Sequence, residues 1–191
     1  MISMASRQVS FLPSLGLRTE LDHGGDIGQG RRKERRPFDP KRPLHVVLRS
    51  TRARGEWSLL RPRNVERVEQ ELARAAKKYE VKLYRSVNVG NHLHLLVQAR
   101  KRQDFQSFLR VVSGRIAMLV TGARKGVAIG RFWDRLAYSR VVGWGREFDV
   151  LRKYLVKNLF ESKGFWNRKQ HPHLQLMWIS MRDAGISGPG D

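Results

Sequence analysis

The 191-residue chain contains no cysteine. That excludes disulfides and thiolate-based zinc or redox sites, and it permits a reducing cytoplasm. Long apolar runs are also missing: no stretch approaches the roughly 20 residues needed to span a bilayer. The first residues lack the apolar core of a secretory signal. Acidic residues are scarce, with 17 Asp and Glu against 38 Lys and Arg, for a formal charge of +21. What is present is enough chain for one domain with a real core plus tails. Its charge suits a polyanionic partner, with nucleic acid the first candidate and a solvated basic surface, a ribosome-like role or a membrane-surface role the alternatives.

The positive charge is not confined to a tail. Residues 1–43 hold 9 basic and 5 acidic residues (+4), residues 44–166 hold 26 and 10 (+16), and residues 167–191 hold 3 and 2 (+1). Most of the field therefore belongs to the central segment, as a binding surface requires. Residues 1–42 are expected to form a flexible basic arm, because Gly24, Gly25, Gly28 and Gly30 precede Arg31, Arg32, Lys33, Arg35 and Arg36. Such an arm can lie along phosphates or enter a minor groove, or it can be a solvated linker. Residues 43–166 are expected to form the folded domain, and residues 167–191 a tail that is Gly/Ser/Pro-rich at its end.

Periodicity places the elements of the middle segment. Leu44-His45-Val46-Val47-Leu48-Arg49 alternates as a strand with Leu44, Val46 and Leu48 on one face. Asn64 can cap a helix whose stripe is Val65, Val68, Leu72, Ala75, Ala76 and Tyr79. Residues 82–89 read as a second strand, joined through Gly90 and Asn91 to a third strand beginning at His92. Asp104 can cap a helix with Phe105, Phe108, Leu109, Val112, Ile116, Leu119 and Val120 buried, ending near Gly122. Residues 132–142 read as a fourth strand. Residues 147–162 read as a third helix striped by Phe148, Leu151, Leu155 and Leu159. The order predicts an α+β fold, the ferredoxin-like βαββαβ arrangement: an antiparallel sheet with two helices on one face, plus a C-terminal helix.

Asn91-His92-Leu93-His94-Leu95-Leu96-Val97 carries the strongest chemical signal. In a strand, His92 and His94 point to one side while Leu93, Leu95 and Val97 point to the other. Two adjacent imidazoles on an open sheet face suit one divalent ion, or they are two hydrogen-bonded or solvated histidines. In the predicted topology the first and third strands are neighbours, so His45 shares that face. On the third helix, Tyr154 and Asn158 are four residues apart and stack on one face beside the leucine stripe. Docked against the sheet, they would look towards the histidines.

Together these motifs resemble the single-tyrosine HUH transposases, most closely the REP-associated tyrosine transposases. The resemblance covers about residues 43–165. His92-Leu93-His94 matches the His-hydrophobic-His motif, His45-Val46-Val47-Leu48-Arg49 the opening strand, Phe132-Trp133-Asp134-Arg135 the aromatic segment, and Tyr154 with Asn158 the tyrosine helix. Two positions depart from the pattern: Leu159 stands where a proline often follows the asparagine, and Val89-Gly90 where Met-Pro often precedes Asn-His.

The resemblance implies an enzyme that cuts and rejoins single-stranded or hairpin DNA. It implies Tyr154 as nucleophile, forming a 5′-phosphotyrosine, and Mg2+ or Mn2+ held by His92, His94 and Asn158. DNA contacts are expected from His45, Arg49, Arg31, Arg32, Lys33, Arg35, Arg36, Arg135 and Lys157. The protein would act in a prokaryotic cytoplasm, at the nucleoid when bound, as a monomer or a homodimer. Two alternatives stand beside this reading: a non-catalytic RNA-binding module of the RRM type, built with the same βαββαβ order, and a domesticated DNA-binding protein with an inactive site.

Overall fold

The computed structural model describes residues 21–25, 35–124, 127 and 129–162. In chain order the elements are β1 (Asp22–His23), β2 (Leu44–Arg49), α1 (Pro62–Lys78), β3 (Lys82–Asn88), β4 (His92–Gln98), α2 (Arg102–Thr121), β5 (Tyr138–Val141) and α3 (Arg146–Ser162). The strands form one antiparallel sheet ordered β1-β5-β2-β4-β3. The four longer strands thus have the expected ferredoxin-like order, and β2 and β4 are central neighbours. Their register sets Val47 opposite His94 and Arg49 opposite His92.

The alternation in β2 and β4 sends two sets of side chains to opposite faces. Leu44, Val46, Leu48, Leu93, Leu95 and Val97 meet Val68, Leu72 and Ala75 of α1 and Phe105, Phe108, Val112 and Ile116 of α2 in the larger core. Within this layer the buried Glu71 ties the two helices together, accepting hydrogen bonds from Arg74 (3.1 Å) and Arg115 (3.0 Å). On the other face a smaller core joins Val87, Leu96 and Val142 to Leu151 and Leu155 of α3. Both faces of the central strands are therefore covered.

Several boundaries differ from the sequence expectation. Parts of the expected arm belong to the fold: Asp22 and His23 add an edge strand to β5, pairing with Arg140 and Ser139. The chain turns there through Gly24 at φ +76°, where a Cβ would lie 2.3 Å from the Ala137 carbonyl oxygen. That contact leaves room for glycine alone. Asn64 does not cap α1, which starts at Pro62 with Arg61 as its cap residue. The Asn64 side chain turns inward and donates to the carbonyls of Glu56 (3.1 Å) and Ser58 (2.8 Å). Likewise Asp104 sits inside the first turn of α2, behind Lys101. The fourth strand is shorter than expected, because residues 132–136 form a loop clipped to the end of β2. There Ser50 donates to the Phe132 carbonyl (2.6 Å), and the Thr51 hydroxyl donates to Asp134 (2.9 Å).

Candidate active site

Three histidines lie in a row on the α3 side of the sheet. The rings of His45 and His94 are nearly parallel with centroids 5.6 Å apart, and those of His94 and His92 are 6.1 Å apart. The ring of Tyr154 stands edge-on to His94 at 6.4 Å. β2 and β4 position the imidazoles through their shared register, and Leu151 and Leu155 seat the helix that carries the tyrosine.

The hydrogen bonds define which nitrogens are available. Nδ1 of His92 lies 2.7 Å from Oδ1 of Asn91. An amide oxygen only accepts, so the His92 proton sits on Nδ1 and the Nε2 lone pair is free. That Nε2 is buried with no hydrogen-bond partner among the described residues. Nδ1 of His94 lies 3.3 Å from Nε2 of His45. If His94 donates here, its own Nε2 also keeps a lone pair. A second partner holding the far ring nitrogen is how metal-ligating histidines are oriented.

Electrostatics keep these rings neutral. Burial pushes His94 well below the usual histidine range, with the neighbouring His45 and His92 adding to the effect. Burial, then the charge of Arg140, lowers His45 to about 4. Burial and Arg49 lower His92, while Asp134 opposes them. Arg49 itself lies 3.6 Å from Asp134. Neutral imidazoles are the form that binds a cation.

Asn158 lies half-buried one turn beyond Tyr154. Among the described residues no group of three or more His, Cys, Asp or Glu is arranged to hold a metal. An ion at His92 and His94 would therefore need a donor of another kind.

Two expected DNA contacts are placed elsewhere. His45 is buried behind His94, where it faces the ring and not solvent. Arg36 is half-buried and donates to the Ala137 carbonyl (2.9 Å) and to the Ser139 hydroxyl, with its basicity lowered by burial to about 10. Arg35 and Arg135 are exposed, and Lys157 is half-exposed on α3. Arg31, Arg32 and Lys33 lie outside the described residues, as do His171 and His173.

One group escaped the sequence reading. Arg140 is fully buried beside His45, 3.0 Å from Glu147 at the start of α3 and 3.7 Å from Asp22. The other oxygen of Glu147 accepts from the Gly143 amide at 2.6 Å. This group pins the first turn of the tyrosine helix to β5, the strand between β1 and β2. Tyr138 also points here: its hydroxyl donates to Asp22 at 3.1 Å, and burial raises its pKa well above the ordinary phenol value. An isolated arginine in an aromatic strand gave no sign of burial, since its two carboxylate partners are remote in sequence or on the next element.

The family model described as "Transposase IS200 like" matches residues 43–158 of the chain. The chain belongs to that family of DNA-processing enzymes. Among solved structures it is similar to a protein of Deinococcus radiodurans R1 whose description as a transposase is provisional. That similarity has 13% identity and a TM-score of 0.41, covering 67% of this chain and 98% of the other. A likeness so loose carries no argument about chemistry. No curated protein matches the chain. No helix among the described residues is long and apolar enough to cross a membrane.

Proposed function

We propose that the protein is a metal-dependent single-strand DNA endonuclease and strand transferase with Tyr154 as its nucleophile. The observation that supports this most directly is the edge-on approach of the Tyr154 ring to His94, beside the partnerless Nε2 of His92. His92 and His94 would hold Mg2+ or Mn2+ with Asn158 as the third protein ligand. When bound, the ion supplies Lewis-acid polarisation of the scissile phosphate and stabilises charge on its non-bridging oxygens.

The residues divide the remaining work. The phenolic oxygen of Tyr154 attacks phosphorus, an O–P bond forms, and the bond from phosphorus to the 3′ oxygen breaks. The phenol loses its proton to solvent, and the departing 3′ oxygen gains one. The product is a 5′-phosphotyrosine and a free 3′-hydroxyl. The covalent link preserves a phosphodiester, so the hydroxyl of another strand end can reverse the attack and join to it without a nucleotide cofactor. Asn91 and His45 orient the two imidazoles, and Glu147 with Arg140 fixes the start of α3. A hairpin with a single-stranded flank is the fitting substrate, because an unpaired backbone bends into in-line geometry more readily than a paired one.

Incubation with such a hairpin and Mn2+ should yield a covalent protein–DNA species on a denaturing gel. Tyr154→Phe should abolish it while DNA binding survives, since only the phenolic oxygen is removed. A persisting adduct would move the nucleophile away from Tyr154. Tyr138 is then a poor substitute, because its hydroxyl is engaged by Asp22 and hard to ionise.

A further inference from the structure

Three aromatic rings meet at the surface near the start of α3. Tyr84, Trp144 and Phe148 have ring centroids 5.0–5.7 Å apart, edge-on or tilted to one another. Trp144 is 50% exposed, and it is the one aromatic among the exposed large apolar residues described. Tyr84 reaches this spot through a bulge: the pairing of β3 with β4 shifts between Leu83 and Arg85, so Tyr84 is the extra residue. Bulges re-aim a side chain in this way.

The polar atoms of the cluster are already engaged. The Trp144 indole N–H donates to the Lys41 carbonyl (2.7 Å), and the Tyr84 hydroxyl donates to Gln98 (2.6 Å). The Lys82 ammonium lies 4.7 Å from the centre of the Tyr84 ring. What remains for a ligand is ring surface. Packing α3 onto the sheet accounts for Phe148 and Tyr84, but it leaves half of Trp144 in water.

A cleft of about 1030 Å³ opens alongside. Lys41, Lys82 and Gln98 belong both to its wall and to the aromatic cluster, and Lys77 and Arg100 add two more cations against the single acid Glu80. A half-bare indole whose cluster shares Lys41 and Lys82 with a cleft lined by four cations is complementary to a base flanked by phosphates. Gln98 is four residues past His94 on β4, roughly 13 Å at 3.3 Å per residue. Phe148 is six residues before Tyr154 on α3, roughly 9 Å at 1.5 Å per residue. With stacked nucleotides about 3.4 Å apart, those spans correspond to roughly three or four nucleotides.

We propose that Trp144, backed by Tyr84 and Phe148, is a stacking platform for an unpaired base of the DNA substrate, three or four nucleotides from the cleaved phosphodiester, with Lys41 and Lys82 on the adjoining phosphates. This rests on the assignment of the histidine–tyrosine site to DNA cleavage. A base stacked on an aromatic ring is worth about 1–3 kcal/mol, or roughly 5- to 150-fold in affinity.

The test is fluorescence anisotropy at one near-physiological salt concentration, using hairpins with DNA flanks of zero, two, four and six nucleotides. The same mixtures, given Mn2+, are scored for covalent adduct. The wild type should gain at least about fivefold in affinity from the flank, with the rise complete by four nucleotides. In Trp144→Ala the ratio of flanked to flankless affinity should fall towards one, and Trp144→Phe should keep most of the gain. An unchanged ratio in Trp144→Ala, with normal adduct formation, overturns the platform and leaves the cleavage assignment standing. Absence of both binding and Tyr154-dependent adduct overturns both. A greater gain from an RNA flank, or a wild-type dimer that Trp144→Ala dissociates with the ratio intact, assigns the surface to another partner and also overturns the proposal.

Discussion

The two faces of the sheet are built from the same strands and are covered by different means. Facing α1 and α2, β2 and β4 present only Leu and Val, and the layer above them is Phe, Leu, Ile, Val and Ala with one buried carboxylate, Glu71, between the helices. Facing α3, the same strands present His45, Val47, His94 and Leu96, with Arg140 from β5 alongside. Both layers exclude water. The first gains stability from burial roughly in proportion to apolar area. The second must also hold imidazoles, a guanidinium and carboxylates that lose hydration: Glu147 and Asp22 form ion pairs with Arg140, while the Nε2 of His92 is left without a hydrogen-bond partner among the described residues. The first face is thus arranged for folding, whereas the second places chemical groups where water is scarce and their charge states are set by neighbours. Its apolar part, Val87, Leu96, Leu151 and Leu155, is only wide enough to seat the helix that carries Tyr154.

The sharpest way to break the contrast is a cavity on the first face. Phe108 is completely buried between α2 and the sheet. Phe108→Ala should cost about 3–5 kcal/mol in denaturant unfolding, by lost burial plus an unfilled cavity. The folded fraction should still bind Mn2+ as the wild type does, because no atom of Phe108 reaches the histidines. A loss below about 1 kcal/mol would mean that this layer relaxes freely and is not the main core.

On the second face the comparable weak point is an ion pair. Arg140 is 3% exposed, and Glu147 supplies its closest carboxylate. Glu147→Gln leaves a buried cation with Asp22 alone, at 3.7 Å. Breaking such a pair costs roughly 3–5 kcal/mol when both groups are fully buried, and the partial exposure of Glu147 puts the expected loss at or just below the lower end. Covalent-adduct formation should slow as well, since the first turn of α3 loses its anchor. Unchanged stability together with an unchanged rate would show that the pair is incidental.

Regular patterns account for most of what could be read before any coordinates. Period-two alternation placed β2 and β4 and separated their faces, and the 3.6-residue stripes placed all three helices. Given those, the antiparallel order and the position of His45 on the histidine face follow from topology. What stayed hidden is non-periodic. Asp22–His23 is too short to carry a pattern and becomes a strand only because β5 offers it an edge. Asn64 has the chemistry of a cap, but Pro62 starts the helix first and Asn64 serves buried carbonyls instead. Arg36 reads as a phosphate contact and nothing in the sequence marks Arg140; both are partnered by residues that only the fold brings close. The nearness of Tyr154 to His94 depends on how α3 docks, and helix periodicity alone leaves that angle open.

The smallest expected change is also the one that separates the two faces most cleanly, because it should help folding while harming function. His45 is buried, touches His94 through one nitrogen, and carries a pKa of about 4 in the folded chain against an ordinary value near 6.5. A depressed histidine pKa means that below pH 6.5 the unfolded chain binds a proton that the folded chain refuses. Stability therefore declines as pH falls from 6.5 towards 4, and the decline stops once the folded state protonates too. His45→Leu removes that titration, so its unfolding free energy in metal-free buffer should fall less steeply than the wild type's across that window. The same substitution takes away the partner that orients His94. Loss of such a second contact typically weakens metal affinity 10- to 100-fold, about 1.4–2.7 kcal/mol. Calorimetry with Mn2+ at pH 7 should show that loss while the acid limb becomes flatter. If Mn2+ affinity is unchanged in His45→Leu, His45 is merely a buried residue beside the site; if the acid limb is as steep as before, the proton uptake belongs to other groups and the pairing with His94 does not control it.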